Sequence, residues 1–155
     1  METMMKNLEK NDMMVGVNAI ILNSRNELLL AKRKICLGDG LYSLVGGHLK
    51  KGESIEECII RELFEEIGII VDINDVEVVN FAFVAVGVPM IEIGVYISKY
   101  QGEPFNKEQY YSSDIKFFKL NELPEIFRAT KANIDLFLKN KFYDSDANVY
   151  VGSKK

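Results

Sequence analysis

Apolar and polar positions fall into blocks along the chain, and the period changes from block to block. Val15 to Leu22 and Glu27 to Arg33 are β-rich runs, and the turn-rich tetrad Asn23-Ser24-Arg25-Asn26 between them predicts a hairpin. Lys34 to Tyr42 reads as a loop carrying Gly38, Asp39 and Gly40, and Leu41 to Val45 as a short strand ending at Gly46-Gly47. Val76 to Val86 and Ile91 to Ile97 are strand-like, with Gly87-Val88-Pro89-Met90 as their connection. In the second of these, Ile91, Ile93, Val95 and Ile97 alternate with Glu92, Gly94 and Tyr96, the signature of a half-buried strand. Glu92 then lies opposite the isoleucines, and solvent is favoured over a cleft as its surroundings. Ile115 to Leu120 is a further short strand.

The helical period is clearest from Ser54 to Ile67. Ser54 and Glu57 form an S-x-x-E capping box, which satisfies two orphan backbone donors, and Gly68 stands where a C-terminal capping glycine belongs. At about 100° per residue, Ile55, Ile59, Ile60, Leu63, Phe64 and Ile67 share one arc, which must pack on a sheet. Arg128 to Lys139 is a second amphipathic helix, with Asn133 expected to be an exposed helix residue in preference to one that reads a base edge. The whole reads as α/β, a mixed β-sheet sandwiched between helices in an α/β/α layering. The expected organisation is an N-terminal segment over 1–13, one domain over 14–142 and a frayed tail over 143–155.

Composition adds limits. The chain has 155 residues, enough for one domain with a real core. Its net charge of -4 argues against a coater of nucleic-acid polymer, though not against a small anion that receives local help. Cys36 and Cys58 make neither a disulfide framework nor a zinc motif, which suits a reducing compartment. The N-terminus lacks the apolar core of a signal peptide, and no run is long and unbroken enough for a membrane span. The simplest address is the cytoplasm.

Chemistry concentrates in the first helix. Glu62, Glu65 and Glu66 are spaced i, i+3 and i+4, which places them on one face beside the apolar arc. Three like charges there repel one another unless a cation neutralises them, and hard divalent ions favour such oxygen ligands. The bland alternative is a solvated helix face on which Arg61 makes i, i+4 pairs with Glu57 and Glu65.

The wider pattern decides between them. The segment GHLKKGESIEECIIRELFEEIGI, Gly47 to Ile69, resembles the box G-x5-E-x7-R-E-U-x-E-E-x-G-U of the Nudix hydrolases, where U is a bulky aliphatic residue. Gly47, Glu53, Arg61, Glu62, Leu63, Glu65, Glu66, Gly68 and Ile69 fill every defined position. Average residue frequencies give a chance match on the order of one in ten million for a chain of this length. The Gly-Gly-His-Leu opening, Lys32-Arg33-Lys34 upstream and Gly102-Glu103-Pro104 downstream resemble the MutT-like, triphosphate-cleaving branch, as does Phe118 to Pro124. Two departures stand out. Val45 replaces the proline that relatives carry before the glycine pair, and with no tryptophan in the chain, Ile115 or Phe117 must fill a space that relatives often give to one.

The resemblance implies the Nudix fold and Mg²⁺- or Mn²⁺-dependent hydrolysis of a nucleoside diphosphate linked to a group X. For the MutT-like branch this means (d)NTP cleaved to (d)NMP and pyrophosphate, with oxidised or noncanonical nucleotides as plausible substrates. It implies Glu62, Glu65 and Glu66 as metal ligands, joined by the carbonyl of Gly46 and by Glu108. Glu62 and Glu65 are the catalytic candidates, and Arg61 pairs with Glu53 to hold the loop against the helix. Arg33, His48 and Gly47 are expected at the substrate, and Phe81, Phe83, Tyr42 and Tyr96 are candidate base-stacking rings set against a core role. Relatives are often homodimers. The alternatives are hydrolysis of ADP-ribose, a sugar nucleotide or a dinucleotide, and a non-catalytic ligand sensor, against which the four retained box glutamates argue.

Overall fold

A computed structural model describes residues 12–151, so most of the segment expected ahead of the domain lies outside the described residues. The elements are β1 (Met14–Ile20), β2 (Glu27–Arg33), β3 (Tyr42–Ser43), β4 (Val45–His48), α1 (Ile55–Ile67), β5 (Val76–Val86), β6 (Val88–Ile97), β7 (Ser112–Lys119), α2 (Arg128–Leu138) and β8 (Val149–Val151). Short 3₁₀ turns precede β5 and β8. The strands form a mixed five-stranded sheet in the order β4-β1-β6-β5-β8 and an antiparallel three-stranded sheet in the order β3-β2-β7. β1 runs parallel to β6, and β5 parallel to β8.

The predicted hairpin of β1 and β2 does not form. The tetrad does turn the chain, with Asn23 Oδ1 accepting the Arg25 and Glu27 N–H groups and Asn26 at a φ of 58°. Only a single bridge, Leu22 to Leu28, follows before the strands part into different sheets. Both strands are buried nearly throughout and each pairs on both edges, β1 with β4 and β6, β2 with β3 and β7. Central pairing of this kind leaves neither with an edge for the other.

Side-chain parity divides the core. Val17 and Ala19 of β1, with Val95 and Ile97 of β6, face α1 and pack with Cys58, Ile59, Leu63 and Ile67. The alternate residues face α2, where Ile20 meets Ile134, and Ala82 and Val84 of β5 meet Ala129, Ala132 and Leu136. The five-stranded sheet therefore has a helix on each face. Ile115 and Phe117 pack at the margin of the α1-side core. Val45 is buried and pairs with Ala19, so packing holds the turn where relatives place proline.

α1 begins and ends as its sequence demands. Ser54 accepts from the Glu57 N–H, Glu57 accepts from the Ser54 N–H, and Gly68 closes the helix at a φ of 73°. Its buried stripe is rotated from the predicted arc. Cys58 is inside, whereas Phe64 is 50% exposed, with Lys107 Nζ 4.1 Å from its ring centroid. Glu57 is committed to the capping box, so of the two expected Arg61 pairs only that with Glu65 forms.

Three further expectations are corrected. The connection before β6 shrinks to Gly87, at a φ of 89°, because Val86 pairs with Val88 and Pro89 joins the strand at the end of the sheet. Glu92 is only 4% exposed, because the face opposite Ile91 and Ile93 is covered by α2 rather than water. The described part of the tail, 143–151, is packed, not frayed: Tyr143 stacks on Phe81 at 4.8 Å, and β8 adds to the sheet beside Val84–Val86.

Candidate active site

β4 delivers Gly46, Gly47 and His48 along β1, opposite Asn18, Val17 and Gly16. A Cβ on Gly46 would stand 2.0 Å from the Val17 carbonyl oxygen, and one on Gly47 would stand 2.2 Å from the Glu62 carboxyl group. The bare Gly46 lets β4 lie close on β1, and the bare Gly47 lets α1 lay the Glu62 carboxylate directly against the strand.

Arg61 organises the acidic face. Its Nε donates to Glu53 Oε1 at 2.6 Å and its Nη2 to Glu53 Oε2 at 3.1 Å, a two-pronged grip that ties the loop to the helix. Nη1 donates to Glu62 Oε1 at 2.7 Å and to Glu65 Oε2 at 3.3 Å, and Nη2 also reaches the His48 carbonyl at 3.4 Å. The bonds from Arg61 hold the Glu53 carboxyl at a pKa of about 2, and those from Glu53 push the guanidinium pKa up. Burial, reinforced by Glu53, pushes the Cys58 thiol to about 12, so it is an inert packing group.

Glu66 has no such partner. Burial pushes its pKa strongly upward, and the carboxylates of Glu62, Glu108 and Glu65 add to the effect. Glu108 is brought close by its loop, where the Lys107 and Glu108 N–H groups donate to the Glu66 carbonyl at 3.1 and 3.3 Å. Without a counter-ion, Glu66 therefore keeps its proton in the neutral range. Its surroundings hold hard oxygen donors in excess of positive charge, which suits a divalent cation. Among the described residues there is no group of three His, Cys, Asp or Glu side chains that could by itself hold a metal ion. Mg²⁺ seldom requires one, because it commonly binds through one or two carboxylates, waters and substrate phosphates. Glu62 and Glu66 fit that pattern, with Glu65 and Glu108 beside them.

Above these groups lies a cleft of about 550 Å³, with Glu62 and Glu66 in its lining and Arg33, Lys50 and Lys51 as its cations. That volume is within the range of small-ligand sites. Arg33 Nε donates to the Leu37 carbonyl at 2.6 Å, and its guanidinium lies 4.2 Å from the Phe127 ring centroid, so its direction is fixed. Lys32 turns the other way, toward the Tyr42 ring. Burial lowers the His48 pKa, which favours a neutral imidazole at this wall.

A second, narrower cavity of about 120 Å³ shares Arg33, Gly46, Gly47 and His48 with the cleft. Its apolar wall includes Met14, Leu37, Met90 and Phe127, and its polar wall Asn18 and Glu92. Behind it runs a buried amide network. Asn18 Nδ2 donates to Glu92 Oε2 at 2.6 Å and to Asn133 Oδ1 at 3.1 Å. Asn133 Nδ2 donates to Asn80 Oδ1 at 2.9 Å and to the Glu92 carbonyl at 3.0 Å, while Asn80 Nδ2 returns to the Asn133 carbonyl at 3.0 Å.

The candidate rings lie elsewhere. Phe81 and Phe83 pack with Tyr143, Tyr96 stacks on Phe137, and Tyr42 meets Phe118 edge-on. Asn133, expected on the surface, is fully buried at the centre of the amide network. The pattern of residues did not single out Asn18, Asn80 or Phe127. The available signal was an asparagine inside each of two apolar strands, where a buried amide requires partners.

The NUDIX domain family matches residues 12–138. The NAD-capped RNA hydrolase NudC of Pseudomonas aeruginosa is 30% identical over 111 residues, covering 69% of this chain and 37% of that protein. The ADP-ribose pyrophosphatase of Methanocaldococcus jannaschii is 43% identical over 56 residues, 36% of this chain and 32% of that protein. The chain thus spans well under half the length of these curated relatives. Among solved structures, a MutT NUDIX hydrolase from Burkholderia pseudomallei aligns with a TM-score of 0.75 at 25% identity, over 81% of this chain and 98% of its own. The box from Gly47 to Ile69, the helix that presents its glutamates and a family match spanning most of the chain agree: this protein belongs to the Nudix hydrolase family.

Proposed function

We propose that this protein hydrolyses nucleoside triphosphates, (d)NTP to (d)NMP and pyrophosphate, with Mg²⁺ or Mn²⁺ held by Glu62 and Glu66 and assisted by Glu65, Glu108 and the Gly46 carbonyl. The observation that carries this reading is the crowding of Glu66 against Glu62 under a cleft whose cations are Arg33, Lys50 and Lys51. A polyphosphate brings the negative charge that Arg33 and the lysines attract, and the divalent ion offsets the carboxylates. When bound, that ion lowers the pKa of a water and neutralises charge on the departing phosphate.

The chain's own residues position the rest. Glu53 holds Arg61, and Arg61 holds Glu62 and Glu65, so the acidic face keeps one geometry through the reaction. Glu62 is the group assigned to orient the attacking water and take its proton, with Glu65 as the other candidate. A new P–O bond forms to the water oxygen, the anhydride P–O bond breaks, and pyrophosphate carries away the electron pair. Arg33 and His48 line the path of the phosphates. Noncanonical or oxidised purine nucleotides are included in the proposed range.

A second reading, hydrolysis of ADP-ribose or an NAD-type cap, has its support in the relatives of those names. One panel separates the two. The protein is incubated with Mg²⁺ and the (d)NTPs, ADP-ribose, NAD and sugar nucleotides, and products are resolved by chromatography. Monophosphate and pyrophosphate from an NTP are expected. Turnover of ADP-ribose or NAD with every NTP intact would replace the first reading with the second.

A further inference from the structure

The narrow cavity beside the cleft contains one group that the phosphate chemistry leaves unused. Glu92 is 4% exposed and borders the cavity. Its carboxyl group lies against Gly16, its neighbour in the parallel β1–β6 register, and a Cβ on Gly16 would stand 2.2 Å from Oε2. Oε2 accepts the Asn18 amide, while among the described residues no donor reaches Oε1. The orientation of Asn18 is fixed, because its two amide hydrogens are taken by Glu92 and Asn133. Asn18 therefore offers the cavity its carbonyl oxygen, not its amine. Asn18 and Glu92 thus present acceptors beside an apolar wall that includes Met14, Leu37, Met90 and Phe127. Thr130 also lines the chamber with its hydroxyl engaged by the Leu44 N–H and the Phe127 carbonyl, and Arg33 and His48 stand where the chamber meets the cleft.

A carboxylate that borders a cavity and receives a donor on only one oxygen favours a ligand that supplies another. The chamber is largely apolar, and at about 120 Å³ it is of a size to receive one edge of an aromatic ring system that extends toward the cleft. It opens beside Arg33, Gly47 and His48, which also line the phosphate cleft. We infer that Glu92 is a specificity-determining residue, receiving in this chamber a nucleobase edge with two adjacent N–H donors, the 2-amino-6-oxopurine edge of guanine. A carboxylate accepts such an edge through both oxygens, since each oxygen has two lone pairs and Asn18 occupies only one of them. Adenine and cytosine present one donor beside an acceptor, and the acceptor would face the carboxylate unpaired. The inference rests on the cleft being the triphosphate's site.

Glu92→Gln tests it with little change of shape. The Gln oxygen must face Asn18, so its amine turns to the cavity and converts the acceptor wall into a donor. Hydrolysis of GTP, ITP, ATP and CTP is followed with Mg²⁺, and binding of GMP and AMP is measured by calorimetry. The wild-type protein is expected to favour GTP over ITP and ATP in kcat/KM, and GMP over AMP in Kd, by about tenfold or more, and E92Q to erase that preference. Gly16→Ala, which displaces the carboxyl group from the β1 side, is expected to weaken the same preference. Circular dichroism melts verify that both variants fold. An unchanged guanine preference in folded E92Q, or a wild-type preference for adenine or cytosine, would overturn the inference. Turnover of NTPs without any base preference would defeat it and leave the triphosphate reading intact. A guanine preference in GMP binding that depends on Glu92, with no NTP hydrolysed, would do the reverse.

Discussion

The two faces of the five-stranded sheet each bury a carboxylate whose pKa is raised, and they manage it in opposite ways. On the α1 face, Glu66 is destabilised as an anion by burial and by Glu62, Glu108 and Glu65 around it. On the α2 face, Glu92 reaches a pKa of about 7 through burial, moderated by its bond from Asn18 and by the more distant Arg33. Glu66 is short of positive charge, whereas Glu92 has a hydrogen-bond donor on only one of its oxygens. The first calls for an ion and the second for a neutral, directional partner.

The sharpest way to break this comparison is to remove charge from the α1 face. Glu62→Gln and Glu66→Gln are each expected to cut turnover at least about a hundredfold while the fold persists. In metal-free buffer E66Q should melt no lower than wild type, because a neutral amide replaces a carboxyl whose charged form is disfavoured there. Wild-type rates in both variants would place the chemistry elsewhere. The next effect belongs to the α2 face. Asn133→Ala orphans the partners of a fully buried amide, and a loss of about 1–3 kcal/mol is expected from denaturant melts. If Mg²⁺ stabilises N133A and wild type equally, the two faces are energetically separate.

The smallest effect is in pH. Both raised carboxyls bind protons more tightly folded than unfolded, so each contributes stability that declines as pH rises from the unfolded carboxyl range, near 4.5, through the folded value. For Glu92 that decline ends near pH 7. Metal-free melting temperature should therefore fall between about pH 5 and 8, and saturating Mg²⁺ should flatten the part that comes from Glu66. A metal-free profile that rises across this window would contradict both assignments. Glu53 works in the opposite sense: its lowered pKa adds stability that is lost only as pH falls toward about 2.

The α1 face was legible in the sequence because its chemistry is local. Ser54, Glu57 and Gly68 define one helix, and the spacing of Glu62, Glu65 and Glu66 on it needs no tertiary knowledge. The pairing of Arg61 with Glu53 spans a single loop. The α2 face was not legible, because Asn18, Asn80, Glu92 and Asn133 come from four elements that meet only after β1 joins β6 in parallel and α2 settles across them. Alternation along β6 placed Glu92 opposite the isoleucines, but alternation cannot say what covers a face. The failed hairpin has the same origin, since strand order is decided by competition for partners and not by the nearest turn.

The closing strand β8 has a bearing on handling the protein. Beyond β6, the open side of β5 is shielded by β8 along Val84–Val86 and by the Phe142 carbonyl, which takes the Phe81 N–H at 3.0 Å. A truncation that ends before Phe142 would leave a row of unpaired backbone groups flanked by Phe81 and Phe83. Such a bare, apolar margin is a template for another chain to pair with. Shortened versions of this protein are therefore expected to self-associate and precipitate before they lose their helices, while the site on α1 is still intact.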